Sequence, residues 1–189
     1  MENKPYLKRL YGHLHTINTH KRYVTSLCFK CGMYKQGILH DLSKYTPVEF
    51  FAGVKYFQGF RSPIDAEKED KGYSLGWLHH EGRNKHHWEY WMDKNYSNYE
   101  LFVLNIPFNY LLEGVLDRIG ASKNYNKNYT QSSPLEFFDN GKDRHFMGDE
   151  NCRRVRLLLK YLADNGEKEA IKYYKKLYKC WKKDHTFDI

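Results

Sequence analysis

"GILHDLSKYTPVEF", residues 37–50, sets a histidine beside an aspartate inside an apolar, helix-patterned run. Ile38, Leu39 and Leu42 are packing residues, His40 and Asp41 are metal-type ligands, and Lys44 adds a cation just before a turn. The run reads as a helix from about Met33 to Lys44. Beyond it, Thr46 is an N-cap, Pro47 suits the first helical position, and Glu49 completes a capping box, so a second helix runs to about Gly59.

Upstream, Leu7, Leu10, Leu14, Ile17, Val24, Cys28 and Cys31 recur at three- and four-residue steps. That spacing predicts one long helix over 5–31, stopped at Gly32, with His20 bordering its buried face. Downstream, "GFRSPIDAEKEDKGYS" (59–74) is rich in charge and turn residues and reads as a loop. Ser74 caps a short helix through His79 and His80, "EGRN" (81–84) breaks it, and "HHWEYWMDK" (86–94) starts another. Pro107 opens an amphipathic helix over 108–122, followed by a polar loop and a short helical turn at "PLEFF" (134–138). Helices from Asp149 to Ala163 and over about 168–183 complete the chain, divided near Gly166. No strand-like alternation and no internal repeat emerge. The expectation is an all-α, HD-domain-like helical bundle with extra C-terminal helices. It would form one domain over 1–189, with a site-bearing core at about 10–122 and an extension at about 134–185.

A chain of 189 residues is long enough to bury a substantial core. No apolar run approaches the roughly 20 residues that span a bilayer, and the N-terminal stretch lacks the apolar segment of a secretory signal. A cytoplasmic protein with no membrane partner is therefore expected. The net charge of +8 gathers in "KYYKKLYKCWKK" (172–183), which reads as a solvated helix face. The remaining excess surrounds the histidines and favours an anionic substrate or nucleic acid, between which charge alone does not choose; a small anionic substrate is the expected partner, with nucleic acid possible but not favoured. Cys28 and Cys31 have the spacing of half a zinc or redox motif, but there is no second CxxC. They read as two thiols on a helix face. Oligomeric state leaves no mark on the sequence.

Eight of the ten histidines precede residue 90. In order, the set is His20, His40–Asp41, His79–His80, His86–His87 and then Asp117, which lies among apolar residues of its helix. Imidazole with carboxylate suits Fe, Mn, Co, Ni or Zn, and a carboxylate placed between two ions can bridge them. A buried Asp117 needs a partner, which a metal or an arginine would provide. His80 and His87 on one straight helix would lie about 10 Å apart, too far to share an ion. A turn at "EGRN" removes that obstacle and lets His80 and one of His86 and His87 converge.

The order H…HD…D over helices of an all-α chain resembles the HD-domain superfamily of metal-dependent phosphohydrolases. His20, His40, Asp41 and Asp117 match its four-residue signature, and "HDLSK" (40–44) resembles a common form in which the lysine contacts substrate phosphate. A more specific resemblance is to a group of bacterial and phage HD-like proteins of unknown function. It is carried by "CFKCGMYKQGILHDLSKYTPVEF" (28–50), "YFQGFRSP" (56–63), "GWLHHEGRNKHHWEYW" (76–91) and "DRIGASK" (117–123).

The resemblance implies one or two divalent transition ions held by His20, His40, Asp41, His80, His86 or His87, and Asp117. It further implies hydrolysis of a nucleotide or other small phosphate ester by a metal-activated water, with catalytic roles for Asp41 and Lys44. Lys44, Arg83, Lys85, Arg118 and Lys123 are the candidate phosphate-binding cations. Two alternatives stand beside this expectation: a di-iron HD-fold oxygenase acting on a small polar or phosphonate-type substrate, and a non-enzymatic nucleic-acid or protein-binding module.

Overall fold

A computed structural model describes residues 5–141 and 143–185. Its helices are α1 (Tyr6–Cys31), α2 (Tyr34–Leu39), α3 (Pro47–Tyr56), α4 (Pro63–Lys71), α5 (Leu75–Glu81), α6 (Phe108–Tyr125), α7 (Ser133–Asn140) and α8 (Asp149–Lys183). The architecture is all-α. Among the described residues no helix is long and apolar enough to cross a membrane.

The predicted α1 is present almost to the residue and ends as expected, with Gly32 in the left-handed conformation at φ 82°. Its buried positions Val24, Leu27 and Cys28 pack on α6, which contributes Leu112, Val115, Leu116 and Ile119. Leu158, Leu159, Leu162 and Tyr174 of α8 close the same core. The Tyr174 hydroxyl donates to the Leu158 carbonyl across the bend where α8 kinks at Gly166 (φ 76°). Gly166, whose backbone is non-helical, thus divides α8 into the two C-terminal helices expected from the sequence. Cys28 and Cys31 are buried, free thiols, and burial pushes both up, Cys31 to about 12.

Two glycines let α6 lie close to its neighbours. A Cβ on Gly120 would fall 2.5 Å from Val24 Cγ2 of α1, and one on Gly114 would fall 2.7 Å from the backbone carbonyl of His86. The positions between them carry Asp117, so these close approaches press one helix face against both α1 and the histidine loop.

Three segments depart from expectation. The charged run read as a loop contains α4, capped by Ser62 and by Gly72 at φ 79°. Its buried residues Pro63, Ala66 and Glu67 occupy helical spacing despite the surrounding charge. "HHWEYWMDK" gives a single 3-10 turn, Trp88–Trp91, and then a hairpin strand, Met92–Lys94, paired antiparallel with Leu101–Val103. Turn chemistry wins there: the Asn95 side chain accepts from the Ser97 amide, and the Asn95 amide donates to the Glu100 carbonyl. The third departure lies at residues 40–45, where the candidate site begins.

Candidate metal centre

Helix α2 ends at Leu39, before the dyad. His40 is its C-cap, Asp41 sits in the left-handed region at φ 54°, and a 3-10 turn covers Leu42–Tyr45. A non-glycine residue there marks a position held by its surroundings. The holding groups come from α1: Lys21 Nζ donates to the carbonyls of Ile38 (2.9 Å) and His40 (2.7 Å), and Thr25 Oγ1 donates to that of Gly37 (2.7 Å). Carbonyls freed by the early end of the helix are thereby satisfied. The break turns both dyad side chains inward, where His40 and Asp41 are each 2% exposed.

Donor atoms converge in two groups. In the first, His20 Nε2 lies 2.9 Å from Asp117 Oδ1 and 3.4 Å from Asp41 Oδ2. His40 Nε2 lies 3.3 Å from Asp41 Oδ2, 3.4 Å from Asp117 Oδ1 and 3.4 Å from His20 Nε2. In the second, Asp41 Oδ1 faces His80 Nε2 at 3.4 Å and His86 Nε2 at 3.6 Å, and His87 brings a further nitrogen into the group. The two oxygens of Asp41 therefore serve different groups.

The donors fit metal ions. Atoms about 2.1 Å from one ion stand about 3.0–3.4 Å apart in octahedral or tetrahedral shells, close to the separations found. Hydrogen bonding alone leaves the cluster incomplete. Asp41 Oδ1 and His86 Nε2 are buried without a hydrogen-bond partner, although buried polar atoms almost always have one. Ionisation also suits cation binding. Burial opposes charge on Asp41 and Asp117, but the imidazoles around them, with Lys44 beside Asp41, hold both carboxyls well below the usual range. Burial pushes His80 and His87 down, leaving neutral rings with free lone pairs. For His40, burial is outweighed by Asp41, Asp117 and Glu113, which raise it.

Two glutamates complete the arrangement, and neither was singled out as a site residue from the sequence. Glu113 Oε1 accepts from His40 Nδ1 at 3.1 Å and lies 3.3 Å from His86 Nδ1. Glu49 takes His80 Nδ1 at 2.8 Å through one oxygen and His79 Nδ1 at 2.6 Å through the other. Such carboxylates fix the tautomer so that Nε2 faces the centre. Ser43 Oγ and the Asn84 side chain also approach His80 Nδ1, each at 3.1 Å. The capping-box reading of Thr46 and Glu49 does not hold. The Thr46 hydroxyl donates to the Ser43 carbonyl instead, and Glu49 is spent on histidines. Glu113 carried a readable signal, a second acidic residue four positions before Asp117 on an apolar helix.

The predicted cations scatter. Lys44 meets the carboxylate of Asp41, and Asp41 in turn raises its pKa over the cost of burial. Arg118 donates to the Gly114 carbonyl at 3.0 Å and lies over Phe138. Lys123 is held by Glu167 of α8. Arg83 reaches back to the His79 carbonyl on the surface, and Lys85 lies over the rings of Tyr90 and Tyr110. Two cavities of about 520 and 500 Å³ adjoin the cluster and share Trp77, His87, Asp117, Ala121, Tyr125 and Phe137 as walls. Arg118 lines the first and Lys44 the second, while Arg83, Lys85 and Lys123 line neither.

The fold and site define an all-α protein with a buried, doubly grouped histidine–carboxylate cluster at the junction of a two-lobed cleft. Residues 9–161 match the model of a family of unknown function, DUF5662, and the chain belongs to that family. No curated protein and no solved structure matches it.

Proposed function

We propose that this chain is a metal-dependent phosphohydrolase of the HD type acting on a nucleotide or another small phosphate ester. Asp41 carries the reading, because each of its oxygens faces a separate donor group. His20, His40, Asp41 and Asp117 would hold one divalent transition ion (Fe, Mn, Co, Ni or Zn), and Asp41, His80, His86 and His87 a second. Bound ions supply charge neutralisation for a phosphoryl group and lower the pKa of water toward neutrality.

The chain's own groups do the rest. Glu113 and Glu49 orient the imidazoles. Lys44 places a permanent positive charge where the second lobe meets the cluster, suited to the nonbridging oxygens of a phosphate. Arg118 provides a second cation on the wall of the other lobe. Nucleic acid is the less favoured partner, since the lysine-rich end of α8 forms no wall of the cleft.

Element-resolved metal analysis of chelator-free protein, followed by a phosphate-release screen over nucleotides, tests the reading. His40→Ala and Asp41→Ala should each lose metal and turnover while keeping the helical circular-dichroism signal. Wild-type metal content and phosphate release in both variants would overturn it. Two irons, oxygen consumption and no phosphate release would assign the site to oxygenase chemistry instead.

A further inference from the structure

We infer that the substrate is a phosphodiester, carrying an organic group on each side of the phosphorus; this rests on the hydrolase reading above. The two lobes have nearly equal volumes, about 520 and 500 Å³, and they meet at His87 and Asp117, one residue from each donor group. The reacting atom therefore sits at a junction and not at the end of a blind pocket. A monoester fills one lobe and leaves the other to solvent. A diester fills both while its phosphoryl group lies at the cluster.

One wall residue of each lobe also carries a polar ring atom, closed off from solvent, that the protein leaves unsatisfied. In the first, the indole Nε1–H of Trp88 is buried without an acceptor. In the second, His13 is 6% exposed and its Nδ1 is buried without a partner. His13 packs between Phe50 and Phe57, with ring centroids 5.4 and 6.2 Å away, a setting that would suit a hydrocarbon side chain equally well. Leaving a buried polar group unpaired costs about 1–3 kcal/mol. Unpaired polar atoms at the walls of both lobes are accounted for if each lobe receives a ligand group that reorganises its wall and pairs with it.

The walls specify the chemistry of the flanking groups. Trp77, Tyr125 and Phe137 are shared aromatic surfaces, fit for flat or ring-shaped substituents. Lys44, paired with Asp41, and Arg61, paired with Glu69, line the second lobe beside the exposed carboxylate of Asp65, so its charged groups balance. The unpaired polar group there is the His13 imidazole, held neutral by burial, which suits an uncharged hydroxyl- or amide-bearing ring. Hydrolysis adds the hydroxide of water to phosphorus and releases one substituent as its alcohol, whose oxygen takes the remaining proton of the water. The products are a monoester and an alcohol, one per lobe.

The test uses the full chain loaded with Mn²⁺, assayed on bis(4-nitrophenyl) phosphate and 4-nitrophenyl phosphate. Binding of the unreactive pair diphenyl phosphate and phenyl phosphate is followed in the metal-free protein by NMR of the Trp88 indole and His13 ring. The diester should be favoured in kcat/KM by about tenfold or more, and diphenyl phosphate should move both reporters where phenyl phosphate moves one. Filling one lobe at a time, with Ser122→Phe or Thr16→Phe, should cost the diester about tenfold in either case. One of the two variants should leave the monoester within about twofold. Equal or better monoester turnover, or diester turnover indifferent to both fillings, overturns the inference and leaves the hydrolase reading intact. If neither ester is cleaved and neither reporter moves, the hydrolase reading fails and the inference falls with it.

Discussion

Helix α6 faces two interiors built to opposite rules. Leu111, Leu112, Val115, Leu116 and Ile119 enter a hydrocarbon core with α1 and α8. Glu113 and Asp117, four residues apart, enter a cluster of imidazoles and carboxylates instead. Both interiors are dry enough to shift ionisation, yet the first holds together by packing and the second by charge. In the first, removing any one methylene is felt in stability. In the second, several ionisable groups are buried within contact of one another, an arrangement that costs stability without a compensating cation and suits a chemical task.

The largest effect should separate the two sides outright. Asp41→Asn keeps the size and tolerates the left-handed backbone, but removes the charge that both donor groups share. Its turnover should fall by about a thousandfold or more, and its metal content should drop to one ion or none by elemental analysis. Leu158→Ala, in the hydrocarbon interior, should do the reverse. It should lose about 2–5 kcal/mol in urea unfolding while metal per folded molecule stays at the wild-type value. If Asp41→Asn keeps its full metal content, the proposed bridging role of Asp41 is wrong.

A pH titration probes a buried histidine that belongs to neither interior. Burial, aided by the charge of Lys44, pushes His13 down to about 4, against an ordinary value of 6.5. The unfolded chain therefore binds more protons between those two values, so this residue's contribution is full above pH 6.5 and is lost as pH falls toward 4. Metal-free wild type should lose up to about 3 kcal/mol more than His13→Phe across that window in chemical unfolding. Parallel curves for the two proteins would mean that His13 is already protonated when folded.

Glu113→Gln sharpens the comparison on the α6 face itself. The side chain keeps its shape but no longer offers a carboxylate to His40 and His86, so metal affinity should fall about 10–100-fold by competition with a chelator dye. Unchanged affinity would reduce Glu113 to a packing residue.

How much of this was legible follows the same divide. Helix α1 and the core stripe of α6 were readable because hydrocarbon burial imposes a period on the sequence. The convergence of His20, His40, Asp41 and Asp117 was readable from their HD-type order, and that of His80 with one of His86 and His87 from the turn at "EGRN", whereas the structure brings both His86 and His87 to the cluster. Glu49 was hidden because a first-turn glutamate after Thr46 has an ordinary explanation, and only tertiary contact with His79 and His80 reveals the other one. The hairpin at Met92–Val103 was hidden because its strands are three residues each and exposed almost throughout, so burial imposes no alternation on them. Long side chains were the least legible, since sequence proximity to a motif does not say which way they point.

Lys123 makes that last point testable. Its neighbours in "DRIGASK" suggested a phosphate contact, but its amine is held by Glu167, and about a fifth of each side chain remains exposed. A pair in that setting contributes at most about 1 kcal/mol, because solvent screens it and two long side chains must be ordered to make it. Lys123→Met should therefore shift the urea midpoint slightly and leave phosphate-ester turnover within about twofold. Lys44→Met should leave far less activity, because its cation sits on the Asp41 carboxylate beside the second lobe. Should Lys123→Met instead cost tenfold in turnover at unchanged stability, α8 would have to release this lysine during the reaction. The hydrocarbon side of α6 would then no longer be independent of its charged side.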